Sequence, residues 1–308
     1  MLGVGEMNWP ASVTIKEVGP RDGLQNEKVF VPTEDKIAWI NQLSGTGLKS
    51  IEITSFVNPK WIPALADAAE VAAGIERMPG ICYSALVPNR QGLERALEAD
   101  VDEAAVFMSA SETHNLRNIN KSIRVTLPML REVAQEALAA GKSVRGYVST
   151  VFGCPYEGPV SIDEVIRVSD TLFEMGIGEL SLGDTIGIAN PKQVQEVLDI
   201  LLQRFDANKL ALHFHDTRGT ALANILVSMD MGITTFDASA GGLGGCPYAP
   251  GASGNVASDD LLYMLEAMGI HTGVNQEKLL SAARFIQEKI GRELPSRNLH
   301  VGSSNVNG

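Results

Sequence analysis

The chain has 308 residues and 37 acidic side chains against 25 Lys and Arg, a formal net charge of -12. Nucleic acid and anionic membrane surfaces require clustered basic charge, so this balance excludes both as expected partners. With 44% apolar residues and no run of about 18 of them, the composition predicts a folded chain with a sizeable core and no membrane span.

The first β-rich run, Val13–Val18, ends in Gly19-Pro20-Arg21-Asp22-Gly23. Thr33 is expected to cap the helix-like segment Thr33–Leu43, with Lys36 standing where an acid is preferred. Strands follow at Ser50–Ser55, Ile81–Leu86 and Ala104–Met108, the last leading into Ser109, Glu112 and His114. Segment Ser122–Ala140 has helical spacing and precedes a strand over Ser143–Val151. Ser161 and Glu164 form a capping-box pattern before the helix Ile162–Met175. Strand Glu179–Leu182 leads to a helix over Pro191–Phe205, with Pro191 suited to the first helical position. Strand Leu210–His215, helix Ala221–Met231 and strand Thr235–Ala240 come next. Gly47, Gly141, Gly176 and Gly232 read as helix stops. A last helix over Gln276–Ile290 is expected to pack across the domain.

Eight strand-then-helix units with no linker predict a (β/α)8 TIM barrel, an α/β fold, as one domain over residues 1–308. Its C-terminal helical extension starts at about residue 272. An open doubly wound sheet is the alternative, but no Gly-x-Gly-x-x-Gly turn follows the first strand. Cys82, Cys154 and Cys246 are widely spaced and odd in number, which suits reduced thiols. The first twelve residues have no basic or apolar leader character, and the last six carry no targeting address. A cytoplasmic location is the expectation.

Barrel chemistry sits where strands end. Those points deliver Arg21 and Asp22, Glu52, Asp184, and His213, His215 and Asp216. His213 and His215 are two apart on a strand, so they share a face and make half of a metal site. Two hydrogen-bonded core histidines are the competing reading. With Asp22 and an amide oxygen nearby, the donor set suits an octahedral divalent ion such as Mg²⁺ or Mn²⁺, with Co²⁺ and Zn²⁺ as further candidates. Arg21 is suited to neutralising a developing enolate or holding a carboxylate. Glu52 and Asp184 are structural rim residues unless a metal is present, when they become acid/base or supporting groups. The Gly-rich segment from Gly241 to Asn255 is either a flexible loop or a lid carrying Cys246, which on its own reads more readily as an inert thiol.

Several motifs together resemble the 3-hydroxy-3-methylglutaryl-CoA lyases, in the barrel superfamily that also contains isopropylmalate and homocitrate synthases. They are Val18–Glu27, Thr54–Pro63, Ser181–Gly187, His213–Gly219 and the Cys-containing loop Gly241–Asn255, in order along nearly the whole chain. The Arg-Asp pair and His-x-His belong to the superfamily, whereas the Cys loop is specific to the lyases. The resemblance implies a metal held by Asp22, His213, His215 and Asn255. It places Arg21, Glu52, Asp184 and Cys246 around the reacting atoms, and Arg21 and Gln25 against the substrate. It implies cleavage of a CoA thioester to acetoacetate and acetyl-CoA, with the base left open among Asp22, His213 and Cys246. A homodimer or higher homo-oligomer is expected on the same ground. The tail lacks the C-terminal cysteine and peroxisomal tripeptide of the animal enzymes, so a bacterial type is the expectation. A lyase for a longer-chain 3-hydroxy-3-alkylglutaryl-CoA and a non-catalytic metal-binding scaffold are the alternatives.

Overall fold

A computed structural model describes residues 8–245 and 254–303. Eight parallel strands close into a barrel in sequence order. They are β1 (Thr14–Glu17), β2 (Ser50–Ser55), β3 (Cys82–Leu86), β4 (Glu103–Ser109), β5 (Ser143–Ser149), β6 (Glu179–Asp184), β7 (Leu210–Phe214) and β8 (Thr235–Ala238). Every residue of β2 and β7 is buried, as expected for parallel strands covered on both faces. The helices wrapping them are α1 (Thr33–Ser44), α2 (Ala68–Gly74), α3 (Arg90–Glu98), α4 (Glu112–Ile119), α5 (Ile123–Ala139), α6 (Ile162–Glu174), α7 (Pro191–Leu201), α8 (Ala221–Asp230) and α9 (Ser258–Ala267). The main apolar core lies between strands and helices, with Ile51, Leu180 and Leu212 facing Val133, Val165 and Leu198 in one buried cluster. The barrel interior is different: Arg145, Glu179, Asp237, Tyr147 and Glu52 form a chain of contacts from four strands.

Local signals in the sequence account for most boundaries. Asn190 caps α7, accepting from Gln193 N–H, and Pro191 occupies its first turn. The predicted stops Gly141, Gly176 and Gly232 take left-handed φ angles of 76°, 92° and 92°. Thr33 does not cap α1: Pro32 stands at the cap, and the Thr33 hydroxyl donates to Asp67 instead. Lys36 reaches the same carboxylate at 2.6 Å, so its acidic partner comes from the segment before α2. Ser161 caps α6 through Asp163 N–H, but Glu164 pairs with Arg167 and leaves the capping box without its return arm. β5 stops at Ser149 rather than Val151, because Thr150 adopts a φ of 64° that breaks the extended run.

The expected C-terminal helix is α10 (Gln276–Ile290), packed on α1 and α9, and α11 (Arg297–Ser303) follows it. Ser296 N–H donates to Gly241 O at 3.1 Å, tying this tail to the chain just beyond β8. Glu17 anchors the same region from inside. Its fully buried carboxylate accepts from Gly19 N–H, Ala240 N–H and the Ser258 hydroxyl. Burial outweighs these donors and pushes its pKa up to about 7. The unfolded chain ionises near the ordinary carboxylate value while the folded one keeps its proton. Stability from this group is therefore full below pH ~4.5, falls as pH rises to ~7, and is level above, a loss of about 3 kcal/mol. The Glu17→Gln variant should lose that slope, and urea titrations at pH 5 and 7.5 test it. An unchanged difference between the two pH values in the variant would rule Glu17 out as its source.

Candidate active site

The chain leaves β1 through a π-helical turn over Gly19–Gly23, in which Val18 O accepts from Arg21, Asp22 and Gly23 N–H. Such turns are rare and recur at functional sites. This one sets two consecutive side chains at the C-terminal mouth. Arg21 is buried, donating from Nε to Glu52 Oε2 at 2.7 Å and from Nη1 to Asp22 Oδ1 at 2.5 Å. Asp22 Oδ1 also accepts from Gln25 Nε2 at 2.8 Å, and its Oδ2 accepts from Asn255 Nδ2 at 2.9 Å. Burial opposes the Asp22 charge, but Arg21 and then the two histidines overcome it and hold the pKa down to about 2. Burial raises the pKa of Glu52, with Arg21 opposing.

His213 ends near the mouth on β7, and His215 lies just past that strand, bridged to Asn255. Ligand atoms of Asp22, His213 and His215 all lie within 4.8 Å of one another. Asn255 joins them through its bond to Asp22, yet its Oδ1 is buried with no donor among the described residues. The His215 Nδ1 is likewise buried and unpartnered. A buried amide oxygen without a donor costs free energy unless something electropositive meets it. One carboxylate, two imidazoles and that oxygen therefore fit a divalent cation. Burial and the neighbouring His213 push the His215 pKa down to about 4, which keeps the ring neutral, the form that ligates metal. Gly244 allows Asn255 its place: a Cβ there would stand 2.9 Å from Asn255 Nδ2, on a backbone with φ of 123°.

These groups open into a cleft of about 390 Å³ whose other wall is apolar, with Val57, Ile62, Leu86 and Phe107. Gln25 and His114 line it. Asp184 does not: its two oxygens accept from Ile188 N–H and Ala189 N–H, so it shapes the loop after β6. Burial outweighs those two donors and leaves its pKa raised to about 6. Cys246 lies outside the described residues. Sequence reasoning missed Tyr147, which lines the cleft, and Arg145 and Asp237, which stand beneath it. The signal was the alternation rule already applied to the histidines, since Arg145 and Tyr147 are also two apart on a strand.

Comparison with known proteins gives a consistent picture. Residues 12–286 match the HMGL-like family. A hydroxymethylglutaryl-CoA lyase of Bacillus subtilis (strain 168) is 66% identical over 298 residues, covering 97% of this chain and 100% of that one. The crystal structure of a B. subtilis HMG-CoA lyase superposes with a TM-score of 0.96 at 66% identity, covering 96% of this chain and 100% of that one. An HMG-CoA lyase from Acinetobacter baumannii, solved in complex with coenzyme A and 3-methylmalate, superposes with a TM-score of 0.91 at 41% identity, with 97% of each chain covered. The chain belongs to the HMGL-like family.

Proposed function

We propose that this chain cleaves 3-hydroxy-3-methylglutaryl-CoA to acetoacetate and acetyl-CoA. The observation that carries the reading is a buried Arg21 set beside the Asp22, His213 and His215 cluster in one cleft, in a chain 66% identical to a lyase named for that reaction. The reaction is a retro-Claisen fragmentation. A base takes the proton of the 3-hydroxyl, the C2–C3 bond breaks, its electron pair enters the thioester carbonyl, and the enolate carbon is then protonated.

Each described side chain has a job in that sequence. The Arg21 Nε and Nη1 are committed to Glu52 and Asp22, which leaves Nη2 to meet the enolate oxygen as charge develops. Glu52 fixes the plane of the guanidinium. Asp22 stays ionised, and with His213 it is the described candidate to receive the hydroxyl proton; Cys246 is the third. Gln25 holds Asp22 from the solvent side and faces the substrate. The apolar wall of Val57, Ile62, Leu86 and Phe107 packs the carbon skeleton and limits water. Asp22, His213, His215 and Asn255 would hold a divalent cation, Mg²⁺ or Mn²⁺ by donor type, which would supply Lewis-acid polarisation of the substrate oxygens. Asp184 supports the rim through its loop. A soluble cytoplasmic homo-oligomer is the proposed working form; among the described residues no helix is long and apolar enough to cross a membrane.

The test is acetyl-CoA release from the six-carbon thioester, before and after chelation and with metal added back. Release that stops with chelator and returns with Mg²⁺ or Mn²⁺ is expected. Full turnover in excess chelator removes the metal from the reading, and no turnover under any condition removes the reaction.

A further inference from the structure

We infer that Asp237 and Arg145, buried inside the barrel and themselves lining none of the cleft, are positioning residues that aim His213 at the bound ion and, through Tyr147, hold Glu52 against Arg21. The inference rests on the proposed metal site. Asp237 is the register neighbour of His213 on the adjacent strand, and its Oδ2 stands 3.3 Å from His213 Nδ1, within ion-pair range but short of hydrogen-bond geometry. With Nδ1 turned to that carboxylate, Nε2 is the nitrogen directed to Asp22, at 3.9 Å from its Oδ2. The partner on one ring nitrogen thus selects the other for the metal.

Asp237 is itself fixed. Arg145 donates from Nη2 to its Oδ1 at 2.7 Å, and the Ser181 hydroxyl donates to its Oδ2 at 2.7 Å. Arg145 reaches it from β5, across the barrel interior. The same guanidinium donates to the Tyr147 oxygen at 2.5 Å, and the Tyr147 hydroxyl donates to Glu52 Oε2 at 3.2 Å. That oxygen is the one accepting from Arg21 Nε. One buried cation therefore braces both halves of the site. Burying such a pair seldom gains stability over apolar packing. What it supplies is direction, since Asp237 and Glu52 are each held by more than one fixed donor.

The experiment titrates purified protein with Co²⁺ by calorimetry, records the visible spectrum of the bound ion, and checks the fold by circular dichroism. Asp237→Asn keeps the size and an acceptor for Arg145 but offers His213 no carboxylate. It should bind Co²⁺ about 10–100-fold more weakly, with an altered spectrum. Tyr147→Phe should bind Co²⁺ as the unaltered protein does, yet lower kcat with little change in KM. A folded Asp237→Asn protein with unaltered affinity and spectrum overturns the inference. If Asp237→Asn does not fold, Ser181→Ala removes one bond holding the carboxylate and should weaken Co²⁺ several-fold; unchanged binding there overturns it as well. Unaltered protein that takes up no Co²⁺ overturns the metal site itself, a separate result.

Discussion

The Arg21→Gln variant is expected to lose about 10²–10³ in kcat, the usual cost of removing one preorganised donor to a developing oxyanion. KM should change little, because the charge that Arg21 answers appears only as the carbon–carbon bond breaks. Glutamine keeps a donor near Asp22, so the metal ligands should stay in place and metal affinity should fall far less than turnover. The variant also leaves Glu52 buried without its cation, and the expected response is proton uptake by Glu52, not unfolding. Steady-state kinetics beside a metal titration separate the two effects. Equal losses in turnover and metal affinity would mean that Arg21 acts by holding Asp22 and not on the substrate.

Arg145→Met is expected to have the largest effect on stability. Asp237 is 1% exposed and Arg145 2% exposed. Burial works against both charges, and each holds the other ionised. Removing the cation strands a buried carboxylate, at a cost of about 3–5 kcal/mol. The double variant Arg145→Met/Asp237→Asn should recover much of that loss, because no unpaired charge then remains. Urea denaturation of the single and double variants reads both. A single-variant loss below about 1 kcal/mol would place the pair among weak, solvent-screened ion pairs and contradict its burial.

The barrel was legible because its signals are local and repeated: apolar runs of strand length, helical spacing between them, and glycine stops at 141, 176 and 232. That His213 and His215 share a face was legible from alternation, and the position of Asp22 from its place at a strand end. Asn255 came from family resemblance alone, since nothing in a lone Asn after a glycine-rich stretch announces a buried, donorless oxygen. Asp184 illustrates the opposite failure. A carboxylate at a strand end has the same sequence appearance whether it faces the cleft or caps its own loop, and backbone N–H groups at Ile188 and Ala189 decide. Arg145 and Asp237 were hidden because their partners are contributed by strands distant in sequence, across an interior that a barrel ordinarily fills with branched apolar side chains. Against a net charge of -12, the positive centre an anionic thioester needs has to be local, and the proposed divalent ion together with Arg21 would supply it.

The charged string inside the barrel also sets where a proton can come from. Lys16 meets Glu179 at 2.9 Å, Glu179 meets Arg145 at 2.7 Å, and Arg145 meets Asp237 beneath the histidine. Each of the protons in that string already serves a carboxylate: Tyr147 donates to Glu52, and Arg145 to Glu179 and Asp237. Arg145 holds its protons more tightly than an ordinary guanidinium, and burial pushes the Tyr147 hydroxyl well above the usual phenol range. A proton drawn from this floor by a product enolate would break a contact that braces the site, whereas one drawn from the mouth would leave the string intact.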